Sequence, residues 1–414
     1  MLIAPIPASH ENTPLDLTII ARYPILASPD SETPRPMPVS RRKFLAASTG
    51  LLAAPYVTRA QAAVSDNAIG QMLMLGFSGA ASDAEGAQNL ARHIGAGRVG
   101  GACFLGHNTK SQSGIESLTK LFGSAGTKSH PLIAIDQEGG AVQRLSGKLG
   151  YAAVPAAQAV AARNDPVAAQ AIYRRMAEGL RKAGFNLNLA PVVDLGFEPK
   201  NPIVARFGRA FGEDGATVAR YAGAFVAGHR EAGVLTALKH FPGHGSTLVD
   251  SHARPVDLTP TWREDEIEPY RKLVQAGLVD IVMSGHLAHA KYTGGEPATL
   301  SRKAIETWLR GSIGYQGVVM TDDLDMAAIR SSYSLKDAIV RAVAAGNDMI
   351  LLSNSATPDA DLPVMAIAAI KEAVVAGQIS AGQIERSSAR LAMLRPARAS
   401  FSLVTVPEGK AALA

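Results

Sequence analysis

The chain has a single cysteine, Cys103, among its 414 residues. One thiol excludes an intramolecular disulfide and a cysteine-based zinc cluster. It lies in the apolar run Gly101-Ala102-Cys103-Phe104-Leu105, where a small buried hydrophobe is expected rather than a nucleophile. A dense Lys/Arg block with interleaved aromatics is also missing. The 41 basic and 36 acidic residues leave a formal charge of only +5, so no nucleic-acid partner is expected. No Gly-x-Gly-x-x-Gly turn follows the first apolar run, which counts against dinucleotide binding. No helical His-Glu-x-x-His pairing occurs, which removes one common zinc hydrolase plan. What is present is a chain 47% hydrophobic and 19% charged. That suffices for one large α/β barrel or for two ordinary domains.

A targeting segment precedes the globular part. Ser40-Arg41-Arg42-Lys43-Phe44-Leu45 leads into a moderately apolar run ending near Leu52-Ala53-Ala54, and Ala60-Gln61-Ala62 follows. Paired arginines, an apolar stretch and a small-residue cleavage site resemble a twin-arginine export signal over residues 37–62. The apolar stretch is too short to span a bilayer comfortably, so no membrane anchor is expected. The expected location is periplasmic or secreted. Residues 1–36 are Pro-rich and without periodicity. They read as a non-native or disordered extension, with Met37 as the expected start. Residues 398–414 read as a loose C-terminal tail.

From residue 63 onward, short apolar β-rich runs alternate with Ala-rich helical stretches. The expected strands are 72–77, 99–105, 132–136, 185–195, 235–241, 281–286, 317–322 and 348–352. Segments such as 166–183, 215–232 and 335–345 carry apolar residues three and four apart, the helical period. Eight β/α alternations predict an α/β fold of the (β/α)₈ TIM-barrel type over residues 63–397. A doubly wound open sheet is the competing architecture.

The polar residues point the same way. Asp136 ends the third run, Asp194 the fourth, Lys239 and His240 the fifth, His286 the sixth, and Asp322-Asp323 the seventh. In a (β/α)₈ barrel these ends share the face that holds active sites, and charges ending apolar strands need partners or a ligand. The densest stretch runs from Lys239-His240-Phe241-Pro242-Gly243-His244-Gly245 to Asp250-Ser251-His252. An Asp two residues from a His can accept its ring N–H and raise its basicity, giving a general acid/base of the kind imidazole supplies near neutral pH. Asp322 at a strand end could be a nucleophile, a metal ligand or a substrate clamp, and Asp323 is expected to cap the next helix. Asp136, before Gly139-Gly140, suits a sugar clamp or an ion pair with Arg144. The glycines would let backbone approach a ligand. Arg209 could grip a hydroxyl or acetamido oxygen, or pair with Glu213 or Asp214. A metal site built from His240, His244 and His252 is an alternative that Lys239 opposes.

These motifs together resemble glycoside hydrolase family 3, in its branch of single-domain bacterial β-N-acetylhexosaminidases. The resemblance is carried by Ile135-Asp-Gln-Glu-Gly-Gly140 with Arg144, Asn188-Leu-Ala-Pro-Val-Val-Asp194, Arg209-Ala-Phe-Gly212 with Asp214, and Lys239-His-Phe-Pro-Gly-His-Gly245. Asp250-Ser-His252, Met283-Ser-Gly-His286 and Thr321-Asp-Asp-Leu324 complete it. It covers about residues 66–395. It implies a cofactor-free, metal-free, retaining exo-β-N-acetylglucosaminidase acting on peptidoglycan fragments or chito-oligosaccharides. In this family reading Asp322 is the nucleophile. His252, oriented by Asp250, is the acid/base in place of a second carboxylate. Asp136, Arg144, Arg209, Lys239, His240, His244 and His286 bind the sugar. A monomer is expected. The chain departs from the family pattern at Ser246, at His107-Asn108, and at Val204-Ala-Arg-Phe-Gly208, where Arg206 competes with Arg209 as ligand. The competing activities are a β-glucosidase or β-xylosidase of the same family, a glycoside phosphorylase, a metal hydrolase, and a non-catalytic sugar-binding protein.

Overall fold

The computed structural model describes residues 64–126 and 130–394. The expected export segment, the extension before it and the C-terminal tail lie outside them. Among the described residues, eight parallel strands form one sheet: β1 (Leu73–Leu75), β2 (Gly101–Phe104), β3 (Leu132–Ile135), β4 (Leu187–Asn188), β5 (Leu235–Phe241), β6 (Ile281–Ser284), β7 (Val318–Thr321) and β8 (Ile350–Leu352). Neighbours in sequence pair in order from β1 to β7, and β8 returns to β1 with Leu73 opposite Ile350. The ring closes between β7 and β8 through the parallel bridge Met320–Met349 and the bond from Thr321 N–H to Met349 O. This is the expected (β/α)₈ barrel. The doubly wound sheet, which has two open edges, is excluded.

The strands read as near-continuous apolar runs because both faces are buried: every residue of β1, β2, β3, β6, β7 and β8 is buried. β4 pairs over only Leu187–Asn188, with a further bridge at Val192. It is shorter than the run 185–195 because Pro191 has no N–H to give the ladder. The connecting helices begin where the sequence offers oxygen caps. Asp165 accepts from Ala168 N–H ahead of the helix Pro166–Lys182, and Asp214 accepts from Thr217 N–H ahead of the helix Gly215–Glu231. Phe77, Phe104, Phe122 and Phe185 pack edge-to-face around β2, with centroids 4.8–6.0 Å apart. Such geometry adds to the burial of each ring. Cys103, next to Phe104 on β2, is buried at the wall of the cavity described below, and burial pushes its thiol well above the ordinary range, the inert state expected of it.

At the opposite end of the barrel, Asp348 sits just before β8 and is fully buried. Its carboxylate accepts from Arg310, Arg390, Ser387 and Val319 N–H at 2.7–3.0 Å. This cluster ties β7, β8 and two helical segments together far from the strand ends that carry the site.

Candidate active site

The C-terminal strand ends enclose a cavity of about 500 Å³. Its wall includes Asp136, Arg144, Arg209, Lys239, His240, Asp250, His252 and Asp322, drawn from the ends of four different strands and the loops after them. The chemistry-bearing residues, up to 186 positions apart, therefore meet in one place because the barrel turns every strand end the same way.

The floor is an alternating ion network. Lys239 Nζ sits 2.7 Å from Asp136 and 2.8 Å from Glu138, and Arg209 forks onto Glu138 at 2.7 and 2.8 Å. Burial alone would discharge Glu138, yet the Arg209 and Lys239 charges outweigh it and hold its carboxyl well below the ordinary range. Burial likewise works against the Lys239 ammonium, and Asp136 and Glu138 more than offset it, so Lys239 stays charged. Arg144 stands 3.9 Å from Asp136, a looser contact than the Lys239 bond. Arg209 pairs with Glu138 rather than with Glu213 or Asp214, and Asp214 is the cap of the next helix. Arg206 is exposed beside Phe207, and Arg209 is the arginine on the cavity wall.

Glu138 was not singled out in the sequence. Its signal was there, a carboxylate two residues past Asp136 and ahead of two glycines. It sits in the first strand of a two-stranded hairpin, Gln137–Gly139 with Val142–Gln143. Gly139 and Gly140 have φ of +97° and +57°, and a Cβ on either would collide with Pro155 O or Ala156. They serve the turn and its packing on 154–156, not backbone approach to a ligand. Asn188 of β4 braces this hairpin by exchanging two bonds with the Gln137 backbone at 3.0 and 2.8 Å.

Lys239 and His240 are consecutive on β5, yet both reach the cavity. The β5–β6 register shifts between Leu238 and Phe241, a bulge of the kind that re-aims side chains. The Lys239–His240 peptide bond is cis. His240 gives its Nδ1 to Asp194 at 2.7 Å, and Asp194 also accepts the His240 and His244 N–H groups. Burial favours the neutral acid at Asp194, but His240 and these bonds prevail and lower its pKa. One carboxylate therefore fixes the ring orientation and the loop after β5.

Asp322 lies just past β7. Its Oδ1 accepts the Asp323 N–H at 2.8 Å. Burial opposes its charge, while His286, His240, this N–H and His252 favour it, and its pKa is lowered. An ionised, held carboxylate at a barrel mouth is competent as a nucleophile. Asp323 corrects the capping expectation. It accepts from Ser353 and Asp325 N–H, while the helix Ala327–Arg330 starts at Met326 with no side-chain cap. Burial raises its pKa to about 6.

Opposite, Asp250 Oδ1 accepts both the Nδ1–H and the backbone N–H of His252, each at 2.8 Å. The burial cost at Asp250 is outweighed by these two bonds, which lower its pKa. With Nδ1 committed, Nε2 is the nitrogen left to exchange a proton with a ligand.

His244 and His286 depart from direct sugar contact. Neither lines the cavity. His286 is buried, with Nδ1 on Thr299 Oγ1 at 2.8 Å and Nε2 donating to Asp323 O at 2.7 Å. It steadies the loop that carries Asp322, and burial lowers its pKa. His244 is buried with Nε2 on Ser251 Oγ at 3.0 Å. The three histidines of the proposed metal set thus turn a nitrogen to three different partners, Asp194, Ser251 and Asp250. No group of three or more His, Cys, Asp or Glu that could hold a metal ion occurs among the described residues. Ser246, where the family pattern differs, is buried beside Glu266 rather than on the cavity wall.

Comparison with known proteins agrees with this geometry. The chain is 36% identical over 271 residues to the beta-hexosaminidase LpqI of Mycobacterium tuberculosis, covering 64% of this chain and 67% of that one. It is 35% identical over 322 residues to a beta-hexosaminidase of Xylella fastidiosa, covering 76% and 92%. A solved glycoside hydrolase family 3 beta-N-acetylglucosaminidase from Paenibacillus superposes with a TM-score of 0.71 at 35% identity, over 80% of this chain and 61% of that one, so the chain spans less than two thirds of that protein. The sequence model described as the glycosyl hydrolase family 3 N terminal domain matches residues 64–394. On this match, and on a barrel whose strand ends gather an ionised aspartate, an Asp–His pair and a cation–carboxylate floor, the chain belongs to glycoside hydrolase family 3.

Proposed function

We propose that this glycoside hydrolase is a retaining, exo-acting β-N-acetylhexosaminidase that releases terminal N-acetylglucosamine from peptidoglycan fragments or chito-oligosaccharides. The observation that carries the reading is that Asp322 and the Asp250–His252 pair face one cavity. The names of the relatives and of the Paenibacillus structure support it over a β-glucosidase or β-xylosidase.

In the first step the Asp322 carboxylate attacks the anomeric carbon while His252 Nε2–H protonates the departing oxygen, leaving a glycosyl-enzyme ester. In the second, neutral His252 takes a proton from water, whose oxygen attacks the same carbon and frees Asp322 with net retention. Asp250 holds the Nδ1–H throughout and stabilises the imidazolium. Asp136 accepts sugar hydroxyl protons, and Lys239, Arg209, Arg144 and His240 donate to sugar oxygens. His244 and His286 act from behind the wall. The twin-arginine-type segment at 37–62 supports a periplasmic or secreted site of action, beside cell-wall polymer. No helix among the described residues is long and apolar enough to cross a membrane.

The test is turnover of para-nitrophenyl N-acetyl-β-glucosaminide by residues 63–414, beside the glucoside and xyloside and beside Asp322→Ala and His252→Ala. The expected result is preference for the N-acetylglucosaminide and a loss of roughly 10³-fold or more in kcat for Asp322→Ala. Preference for the glucoside or xyloside would overturn the substrate assignment. Turnover that rises with added phosphate would replace hydrolysis by phosphorolysis.

A further inference from the structure

We propose that the His244–Ser251 hydrogen bond is a latch that holds the acid/base loop at the cavity, which makes His244 and Ser251 positioning residues for protonation of the leaving group. The proposal rests on the reading of His252 as acid/base.

The loop that carries His252 is lightly held. The side chains of His252 and Asp250 are 63% and 41% exposed. Among the described residues, the hydrogen bonds of 249–254 are local: Val249 with Thr247, His252 with Asp250, and Ala253 and Arg254 N–H with Asp250 O. The hydrogen bond that reaches beyond this local set is Ser251 Oγ to His244 Nε2, at 3.0 Å. Ser251 is buried while its neighbour His252 is exposed, so beyond the packing of Val249 on Val256, Leu258 and Leu287 the loop is pinned by one inward hydroxyl between the two residues of the acid/base pair.

The post it is pinned to is rigid. His244 N–H donates to Asp194 at 2.9 Å, and its carbonyl accepts from Asn201 at 2.8 Å. Gly245 N–H donates to Glu266 at 2.7 Å. Asp194 also fixes the His240 ring, so the latch ties the acid/base loop to the same carboxylate that orients a cavity-wall histidine. The His244 ring is neutral, since burial takes its pKa to about 4. Its Nδ1 is buried without a partner. A buried N–H without an acceptor is rarer and costlier than an unpaired lone pair, so the ring proton sits on Nε2 and is donated to Ser251 Oγ. The neutral ring does not titrate across the working range of the enzyme.

A loosened acid/base loop has a distinct kinetic signature. An acid matters in proportion to how badly the leaving group needs a proton. A 2,4-dinitrophenolate departs unaided, whereas phenol or an alcohol does not. For Ser251→Ala the expected loss in kcat/KM is about 10-fold on phenyl or methylumbelliferyl N-acetyl-β-glucosaminide, the factor that about one hydrogen bond is worth. On the 2,4-dinitrophenyl glycoside the loss is expected to stay under about 2-fold. His244→Leu should match Ser251→Ala, and His244→Gln, whose amide N–H falls near the position of Nε2, should recover most of the loss. His252→Ala is run beside them on the same glycosides. If His252→Ala depends on leaving group and Ser251→Ala loses activity equally on all of them, or not at all, the latch is overturned and the acid/base reading survives. If His252→Ala itself shows no leaving-group dependence, the acid/base reading falls and the latch falls with it.

Discussion

Glu138 offers the sharpest test of how the cavity floor works, through the single change Glu138→Gln. In the structure its carboxylate is the hub between Lys239 at 2.8 Å and Arg209 at 2.7 and 2.8 Å, and its side chain is 7% exposed. Two carboxylates, Asp136 and Glu138, face Lys239 and Arg209, with Arg144 a looser third cation at 3.9 Å from Asp136. The amide keeps the shape but removes one negative charge and turns one acceptor into a donor that meets a cation. Removing one partner of a buried ion pair costs about 3–5 kcal/mol. Gln retains one acceptor oxygen, so about 3 kcal/mol is expected. For a domain of this size each kcal/mol moves Tm by about 1–2 °C, which gives a fall of roughly 4 °C. The activity effect follows from geometry. Lys239 is drawn onto Asp136 alone, taking an acceptor from the sugar, and Arg209 loses its fork. A displacement of such groups by about 1 Å costs on the order of 10²-fold in kcat/KM. The assay is differential scanning fluorimetry beside steady-state kinetics on the N-acetylglucosaminide, with Glu138→Asp as companion. A Tm within 1 °C of wild type (about the resolution of the method) together with nearly unchanged kcat/KM would refute the network as described. A lowered Tm with intact kcat/KM would confine Glu138 to stability.

Three further predictions probe other parts of the molecule. Asp348→Ala, at the far end of the barrel, removes the carboxylate shared by Arg310 and Arg390, leaving Arg310 only Glu306 at 3.4 Å, and should cost about 3–5 kcal/mol in urea unfolding with kcat/KM unchanged in the folded fraction; a fall in kcat/KM would mean that the cluster reaches the site. Glu266 is buried, and burial raises its pKa from 4.5 to about 8, above its value in the unfolded chain. Its stabilising share is therefore full below about pH 4.5 and lost as pH rises through about 8. Relative to Glu266→Gln, wild type should lose several kcal/mol between pH 5 and pH 9; parallel stability curves for the two proteins would contradict the buried neutral acid. For the export segment, replacing Arg41 and Arg42 by Lys should retain the enzyme in the cytoplasmic fraction of an expressing bacterium; unchanged export would remove the twin-arginine reading.

The sequence was informative where chemistry and local order coincide. Eight apolar runs were legible because strands buried on both faces are mostly apolar, and the barrel followed from their alternation with helices. Asp136, Lys239, His240 and Asp322 stood out because ionisable groups at the ends of such strands are costly without a purpose. The Asp250–His252 pair was legible because its bond spans only two residues. Arg209 was legible as a donor, but its partner was not: Glu138 lies 71 residues away, and its place after Asp136 and before two glycines does not say which cation it meets. His244 and His286 looked like ligands because a sequence shows that a histidine is near a site, not which way its ring turns. Their partners, Ser251, Thr299 and the Asp323 carbonyl, are supplied by the fold. The same holds for Asp323, whose neighbour Ser353 comes from the next strand, and for Gly139 and Gly140, whose crowding against 154–156 is a matter of packing. Residue type and spacing thus determined the barrel and the stock of reactive groups. Which carboxylate meets which cation, and which histidines face the cavity, was decided only by tertiary structure, because those contacts join side chains that barrel closure, not sequence proximity, brings within hydrogen-bonding distance.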